Sequence, residues 1–189
     1  MNEYHKSKEE LEAERKLVEK ARENPNYFGL LYEKYYRQVF VFIYRRTGEE
    51  EVCADIVSNT FLKAMLALPK YEFKGVPFSA FLFRIALNEV NMFFRKTKRD
   101  RVVSLDAADL KNIIAESREE DSEEKRKMLM KALGNLSAED MQMIELRFFE
   151  KRAFAEVAEI LGITENNAKV KTYRILDKLK VLLQKTGGF

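Results

Sequence analysis

The apolar residues of this chain recur every three or four positions, and few residues interrupt that spacing. Only three prolines and seven glycines are present among 189 residues, so helices can run for several turns without a break. A half-buried strand would require alternation of apolar and polar residues instead. The pattern therefore predicts an all-α fold.

The predicted helices fall into two blocks. Residues 6–23 form a charged amphipathic helix or a disordered arm, with Leu11 and Val18 as its apolar stripe. Three further helices are predicted in the first block: 27–47, closed by Gly48; 50–68, which stops before Pro69; and one that begins near Phe78, with Ser79 as a candidate cap. The second block is predicted to contain a helix that ends between Gly134 and Leu136, a helix over 137–149 that is capped by Ser137, and a pair of helices on either side of Gly162. For the helix from Phe78, the predicted core face is Phe78, Phe81, Leu82 and Ile85.

The helix at 50–68 has two different sides. Its predicted core stripe is Cys53, Val57, Phe61, Ala64, Met65 and Leu68. The opposite side carries Asp55, Asn59, Leu62 and Leu66. A mixture of acid, amide and leucine is typical neither of a core nor of a solvated surface. It indicates either a docking site or packing against the amino-terminal arm.

Several classes of function lack the residues they need. The single cysteine and single histidine exclude a clustered zinc site, and no glycine-rich phosphate loop occurs, so no metal, cofactor or catalytic residue is expected. Cys53 could pair with His5 as a nucleophile, but its place on an apolar stripe favours a buried, inert thiol. No apolar run approaches the roughly 20 residues of a spanning helix, and the first residues do not resemble a signal peptide. We expect a cytoplasmic protein without membrane insertion.

Charge divides the chain. Residues 104–124 hold eight acidic and two basic residues, whereas residues 165–185 hold six basic and two acidic ones. The predicted organisation is an amino-terminal arm (1–26), a first helical domain (27–101), an acidic linker (102–122) with a short helix around Leu110 to Ala115, and a second helical domain (123–189).

Two segments carry nucleic-acid signals. Phe93 and Phe94 precede a basic cluster formed by Arg95, Lys96, Lys98, Arg99 and Arg101, which suits phosphates and unstacked bases, although a solvated helix end has a similar composition. The second segment is EVAEILGITENNAKVKTYRILDKL, in which Gly162 separates two short helical patterns, as in a helix-turn-helix motif. Thr164 can cap its second helix. The residues predicted to point outward there are Asn166, Asn167, Lys169, Lys171, Tyr173 and Arg174.

Both halves of the chain resemble the sigma-70 family, in particular the extracytoplasmic function (ECF) sigma factors. FGLLYEKYYRQVFVFIYRRTG, DIVSNTFLKA and FSAFLFRIALNEVNMFFRK resemble the family's region 2, and LGNLSAEDMQMIELRFFEKRAFAEVAEILGITENNAKVKTYRILDKL resembles its region 4. The resemblance implies a non-catalytic subunit whose partners are core RNA polymerase and promoter DNA, with an anti-sigma factor as a further candidate partner.

The resemblance also assigns expected roles to residues. Core-polymerase binding falls to Asp55, Ile56, Asn59 and Leu62. Recognition and melting of the −10 element fall to Arg84, Asn88, Asn91, Arg95, Lys96, Lys98 and Arg99. Reading of the −35 element falls to Asn166, Asn167, Lys169, Lys171, Tyr173 and Arg174. Two rival interpretations remain: a stand-alone helix-turn-helix regulator, and an interaction protein that holds polymerase without reading promoters.

Overall fold

The computed structural model describes residues 6–98, 107–116 and 122–186, and these residues contain helices and turns but no strand. The all-α prediction is confirmed. The chain divides into two compact units near residue 104. The first unit contains α1 (Lys8–Glu23), α2 (Phe28–Thr47), α3 (Glu50–Ala67) and α4 (Phe78–Thr97). The second contains α5 (Ala107–Glu116), α6 (Glu123–Leu133), α7 (Ala138–Ile144), most of α8 (Phe154–Leu161) and α9 (Glu165–Thr186).

Helices α2, α3 and α4 pack against one another to form the core of the first unit. The Phe42 and Phe83 rings meet at a centroid distance of 4.4 Å in its centre. The fully or almost fully buried residues include Leu31, Val39, Phe42 and Ile43 of α2, Cys53, Val57, Phe61 and Ala64 of α3, and Leu82, Phe83, Ala86 and Val90 of α4. The predicted stop at Gly48 is confirmed, because this residue has φ +67° and its N–H donates to the Tyr44 carbonyl.

The amino-terminal arm is a helix that belongs to the first unit. Ser7 and Glu10 form a capping box at its start, and Val18 and Ala21 are buried. Helix α1 packs against α2, α4 and the 3-10 turn Leu68–Lys70 that follows α3. Of the two predicted outcomes for the arm, the structure shows the helix.

Glu14 of α1 is a buried carboxylate with four donors. The Lys6 ammonium and the Tyr35 hydroxyl donate to it, as does Lys34 Nζ at 3.1 Å, and the Phe78 backbone N–H donates from the start of α4. Burial raises the pKa of Glu14, but the hydrogen bonds from Lys6, Tyr35 and the Phe78 N–H, together with the Lys6 charge, outweigh burial, so its pKa lies below the ordinary value. Glu14 is therefore held as a charged acceptor inside the protein.

Three details of the first unit differ from the sequence predictions. Pro77, not Ser79, occupies the cap position of α4, and Ser79 is buried within the first turn. The Met65 side chain, predicted to be core, is 38% exposed because it lies at the edge of the α3 stripe. Phe81 and Ile85 are only half-buried. The buried face of α4 is rotated toward Phe83, Ala86, Leu87 and Val90.

Among the described residues, one stretch, Glu50–Lys70, is long and apolar enough to cross a membrane by length and composition alone. This differs from the expectation that no segment approaches that length. The stretch corresponds to α3 and the turn after it, and its apolar stripe packs against α2 and α4. Packing in the core of the first unit therefore accounts for the apolar character of this stretch.

In the second unit, α9 packs against α6 and α7, and α5 packs against α6. The short helix predicted around Leu110 to Ala115 is confirmed as α5. Its Leu110, Ile113 and Ile114 are buried, so these residues of the predicted linker contribute to the core of the second unit. The Ser137 cap is also confirmed, because its hydroxyl accepts from the Asp140 N–H at 3.1 Å. The predicted helix 137–149 changes to π-helical geometry over Glu145–Phe149.

Candidate docking and nucleic-acid surfaces

The outer side of α3 carries an acid, an amide and two leucines in neighbouring turns. Asp55 and Asn59 are exposed, Leu62 is 50% exposed and Leu66 is 70% exposed. Ile56, which the resemblance grouped with them, is only 6% exposed and faces the core. The structure therefore brings together Asp55, Asn59 and Leu62, adds Leu66, and leaves Ile56 beneath this surface. We call these four exposed residues the α3 face.

An aromatic ladder lies along α2 and contacts α3 through one of its rings. The ring centroids of Tyr32 and Tyr36 are 5.2 Å apart, those of Tyr36 and Phe40 are 5.9 Å apart, and those of Phe40 and Tyr44 are also 5.9 Å apart. Tyr32 contacts Phe61 of α3 at 4.7 Å, which joins the ladder to the α3 helix. The sequence interpretation missed this ladder, although its spacing of four residues was a readable signal.

The predicted −10 residues form a stripe along α4. Arg84, Asn88, Asn91, Arg95 and Lys98 are spaced four, three, four and three residues apart, which places them on one side of the helix. All are exposed except Asn91, which is half-buried, and Lys96 is exposed beside them. Arg99, and Arg101 of the predicted basic cluster, lie outside the described residues.

Another side of α4 is attached to α3. Lys63 donates to Glu89 at 2.5 Å, and Glu89 is buried. This ion pair and the α3–α4 packing hold the helix by one side and leave the stripe turned away from the core. We call the stripe the α4 face.

The predicted turn between α8 and α9 has the geometry of a tight helix connection. Gly162 adopts φ +68°, and the Ile163 N–H donates to the Ala158 carbonyl at 3.0 Å. The predicted Thr164 cap is confirmed, because its hydroxyl accepts from the Asn167 N–H at 3.2 Å. The inward side of α9 consists of the buried residues Ala168, Thr172, Ile175, Leu176 and Leu179.

The outward side of α9 carries every residue predicted for the −35 element. Asn166, Asn167, Lys169, Lys171, Tyr173 and Arg174 are all exposed. Lys169 is paired with Glu165 at 2.7 Å on the surface, a contact that water and salt weaken. The first three turns of α9 therefore present amides, cations and one aromatic ring. We call this the α9 face.

Two further side chains extend the α9 face. The Phe154 ring of α8 lies 6.3 Å from the Tyr173 ring, and the Arg147 guanidinium lies 4.8 Å from the centre of the Phe154 ring. The sequence analysis did not assign either side chain to this surface. Phe154 is half-buried, so it contacts Tyr173 and still leaves part of its side chain accessible to solvent.

The described residues contain no group of three or more histidine, cysteine or acidic side chains that could hold a metal ion. Cys53 is buried, as predicted, and its Sγ lies 3.4 Å from the Phe40 carbonyl. Burial, with a smaller contribution from Glu50, raises the pKa of the Cys53 thiol to about 11. A thiol protonated at neutral pH is a poor nucleophile.

Comparisons with known families match the two units separately. Residues 31–100 match Sigma-70 region 2, and residues 126–179 match Sigma-70, region 4. The first match includes most of α2 and all of α3 and α4, and the second includes most of α6, all of α7 and α8, and the α9 face.

Individual relatives agree with these matches. The chain is 31% identical over 171 residues to the ECF RNA polymerase sigma factor BldN of Streptomyces coelicolor, a match that takes in 88% of this chain and spans 64% of that relative's length. It is 23% identical to the ECF RNA polymerase sigma factor SigM of Bacillus subtilis, covering 80% of this chain and 92% of SigM. A solved structure of CnrH in complex with the cytosolic domain of CnrY is 25% identical, with a TM-score of 0.59, and covers 92% of this chain and 98% of CnrH.

Proposed function

Because this chain belongs to the sigma-70 family, in its ECF group, we propose that it binds core RNA polymerase and directs transcription initiation at specific promoters. The observation that carries the proposal is the order of the two matched regions on two compact units. The first unit exposes the α3 face and the α4 face. The second exposes the α9 face.

The α3 face is the proposed contact with core polymerase. Leu62 and Leu66 offer apolar area that a partner can remove from water, at about 25 cal/mol per Å². Asp55 and Asn59 lie in the same surface and can fix the orientation of the partner through polar contacts. Ile56 contributes by packing beneath the face.

The α4 face is the proposed contact with the −10 element. Arg84, Arg95 and Lys98 can neutralise phosphates, while Asn88 and Asn91 offer amide donors and acceptors to base edges. Contacts with an unpaired base held there would offset the free-energy cost of unstacking that base, which is a few kcal/mol. Lys96 and Arg99 complete the proposed set as backbone contacts.

The α9 face is the proposed reader of the −35 element. Asn166 and Asn167 lie at the amino-terminal end of α9, which is the end that contacts base edges when a recognition helix enters the major groove. Lys169, Lys171 and Arg174 are placed to contact phosphates, and Tyr173 adds a ring. Arg147 and Phe154 are proposed to support this surface from the neighbouring turn.

The same proposal implies a cellular location, a non-catalytic role and a further partner. A factor that acts on polymerase and chromosomal promoters works in the cytoplasm and supplies no catalytic residue of its own. An anti-sigma factor is also a proposed partner, since the related CnrH is known in complex with the cytosolic domain of CnrY.

Transcription with purified components tests the function. Bacterial core polymerase plus this chain, given a genomic template, is expected to produce transcripts from a defined set of start sites that core polymerase alone does not produce. If the chain binds no core enzyme but protects discrete DNA sites by itself, it is a stand-alone regulator. If it binds core enzyme and yields no specific transcripts, it is a polymerase-holding protein.

A further inference from the structure

Helix α1 contacts the segment that joins α3 to α4 at the start and in the middle of that segment, and it also contacts the first residue of α4. This segment, residues 68–77, is called the α3–α4 connection below. At its start, Arg22 Nη2 donates to the Pro69 carbonyl at 3.2 Å. In its middle, the Arg15 guanidinium lies 5.8 Å from the centre of the Phe73 ring. Just beyond its end, Glu14 accepts from the Phe78 N–H.

The contact at Phe78 supplies a hydrogen-bond acceptor that the cap position of α4 lacks. The first N–H groups of a helix have no partner within the helix, and a side chain at the cap position usually accepts from one of them. Pro77 has no side-chain oxygen, and no side-chain cap bond is formed there. The Glu14 carboxylate supplies the missing acceptor, from a residue 64 positions earlier in the chain.

Burial makes this acceptor hard to replace. Glu14 and Phe78 are both almost fully inaccessible to solvent, so water cannot reach the Phe78 N–H if the carboxylate is removed. A negative charge at this position also suits the positive end of the helix dipole. Lys6 and Lys34 balance the charge, and both remain partly exposed.

We infer that Glu14 is a positioning residue for promoter DNA: by capping α4 it fixes the first turn of the helix that carries the α4 face. Arg84 lies less than two turns after Phe78 on the same continuous helix, so movement of the first turn is transmitted along the helix to the DNA-contacting residues. The inference rests on the proposed function of the α4 face. It gives the amino-terminal arm a role in forming that face.

The physical part of the inference can be tested without polymerase. Amide hydrogen exchange of the full chain is measured for wild type and Glu14→Ala, at a temperature where circular dichroism shows both to be folded. We expect exchange at residues 78–81 to become about tenfold faster, the effect of losing one buried hydrogen bond, with little change in α9. Equal exchange at residues 78–81 in the two proteins would overturn the inference.

Two variants separate capping from general stability. Glu14→Gln keeps one oxygen that can accept from the Phe78 N–H, while its NH2 group faces Lys6, Lys34 and Tyr35, so exchange at residues 78–81 is expected to be slower than in Glu14→Ala but faster than in wild type. Tyr35→Phe removes another donor to Glu14 but leaves the cap in place, and is expected to stay within about twofold of wild type at the same residues. If Glu14→Ala does not fold, Arg22→Ala replaces it, since Arg22 is exposed. Faster exchange at residues 68–71 is then expected, and unchanged exchange there would count against the proposal that α1 fixes the α3–α4 connection and the start of α4.

The functional part uses promoter opening by the reconstituted polymerase complex, detected by permanganate reactivity of unpaired thymines. Glu14→Ala is expected to bind core polymerase within about twofold of wild type but to open the −10 region about tenfold less, and Glu14→Gln is expected to restore opening in part. Parallel losses of core binding and opening would indicate a purely structural residue. If the wild-type chain opens no promoter, the proposed function fails, and hydrogen exchange still decides whether Glu14 positions α4.

Discussion

At the scale of single residues, Lys171 and Arg174 provide the sharpest test of the α9 face. Both are exposed and lie one turn apart on the side opposite the buried residues of α9. Changing both to glutamate removes two cations and adds two anions. We expect −35-dependent transcription to fall at least about tenfold near 0.1 M salt, while core binding is retained. Loss of two phosphate contacts would also reduce the salt dependence of promoter binding by a slope of about 1.8.

A matched control is available in the same unit. Lys127 and Lys131 are exposed on α6, four residues apart, and Lys127 makes only a surface pair with Glu123 at 3.0 Å. Changing both to glutamate alters the net charge by the same amount away from the α9 face. Promoter binding by this control should stay close to wild type. An equal loss in both double variants would mean that overall charge, not the α9 face, governs binding.

Burial of individual side chains was only partly predictable from sequence. The stripe containing Cys53, Val57 and Phe61 was correct because the spacing of apolar residues defines the centre of a buried face. Residues at the edge of such a stripe are ambiguous, and this explains why Met65 is partly exposed while Ile56 is buried. Which edge is covered depends on where the neighbouring helices lie, and a one-dimensional pattern does not contain that information.

At the scale of secondary-structure elements, the outer side of α3 can be tested by reversing one charge. Asp55→Arg replaces an exposed acid of the α3 face with a larger cation. If this face docks on core polymerase, we expect affinity for core enzyme to fall about five- to tenfold, because a misplaced charge at an interface opposes association. Quantitative pull-down or fluorescence anisotropy with labelled chain measures the change.

Glu12→Arg is the appropriate control for this variant. It makes the same change in charge on the exposed side of α1, where Glu12 has only a weak surface contact with Arg15 at 3.9 Å. Its core affinity should match wild type. Retention of full affinity by Asp55→Arg would move the docking site away from the α3 face, and the aromatic ladder of α2 would then be the next surface to alter.

Element positions were easier to predict than element contacts. The ends of α2 and α8 followed from Gly48 and Gly162, because each adopts a positive φ that ends a helix. The fate of α1 stayed open because its helical pattern is mostly charged, and what decides it is burial of Glu14 and Val18 against distant residues. In the same way, the acidic composition around α5 indicated a linker, whereas three apolar residues were enough to pack it in the second unit.

At the scale of the whole molecule, the surfaces proposed to contact DNA lie on two separate compact units of one chain. Either surface alone is small and partly electrostatic, so we expect each to bind DNA weakly at physiological salt. Joining them by a chain makes the second contact intramolecular once the first has formed. Two binding sites joined by a short linker have an effective concentration that is roughly millimolar. Promoter selection should therefore depend on the covalent connection between the units.

Cutting that connection tests this dependence directly. A specific protease site inserted between Ser104 and Leu105, at the boundary between the two units, would allow the full chain to be purified intact and then cleaved. At about 1 μM protein, we expect cleavage to reduce promoter-specific transcription at least about 100-fold, because micromolar fragments replace a roughly millimolar effective concentration. The uncleaved insertion protein is the control, and circular dichroism verifies that helix content survives cleavage. Undiminished transcription after complete cleavage would mean that polymerase holds each unit independently, in which case the α4 and α9 faces contribute separately to promoter selection.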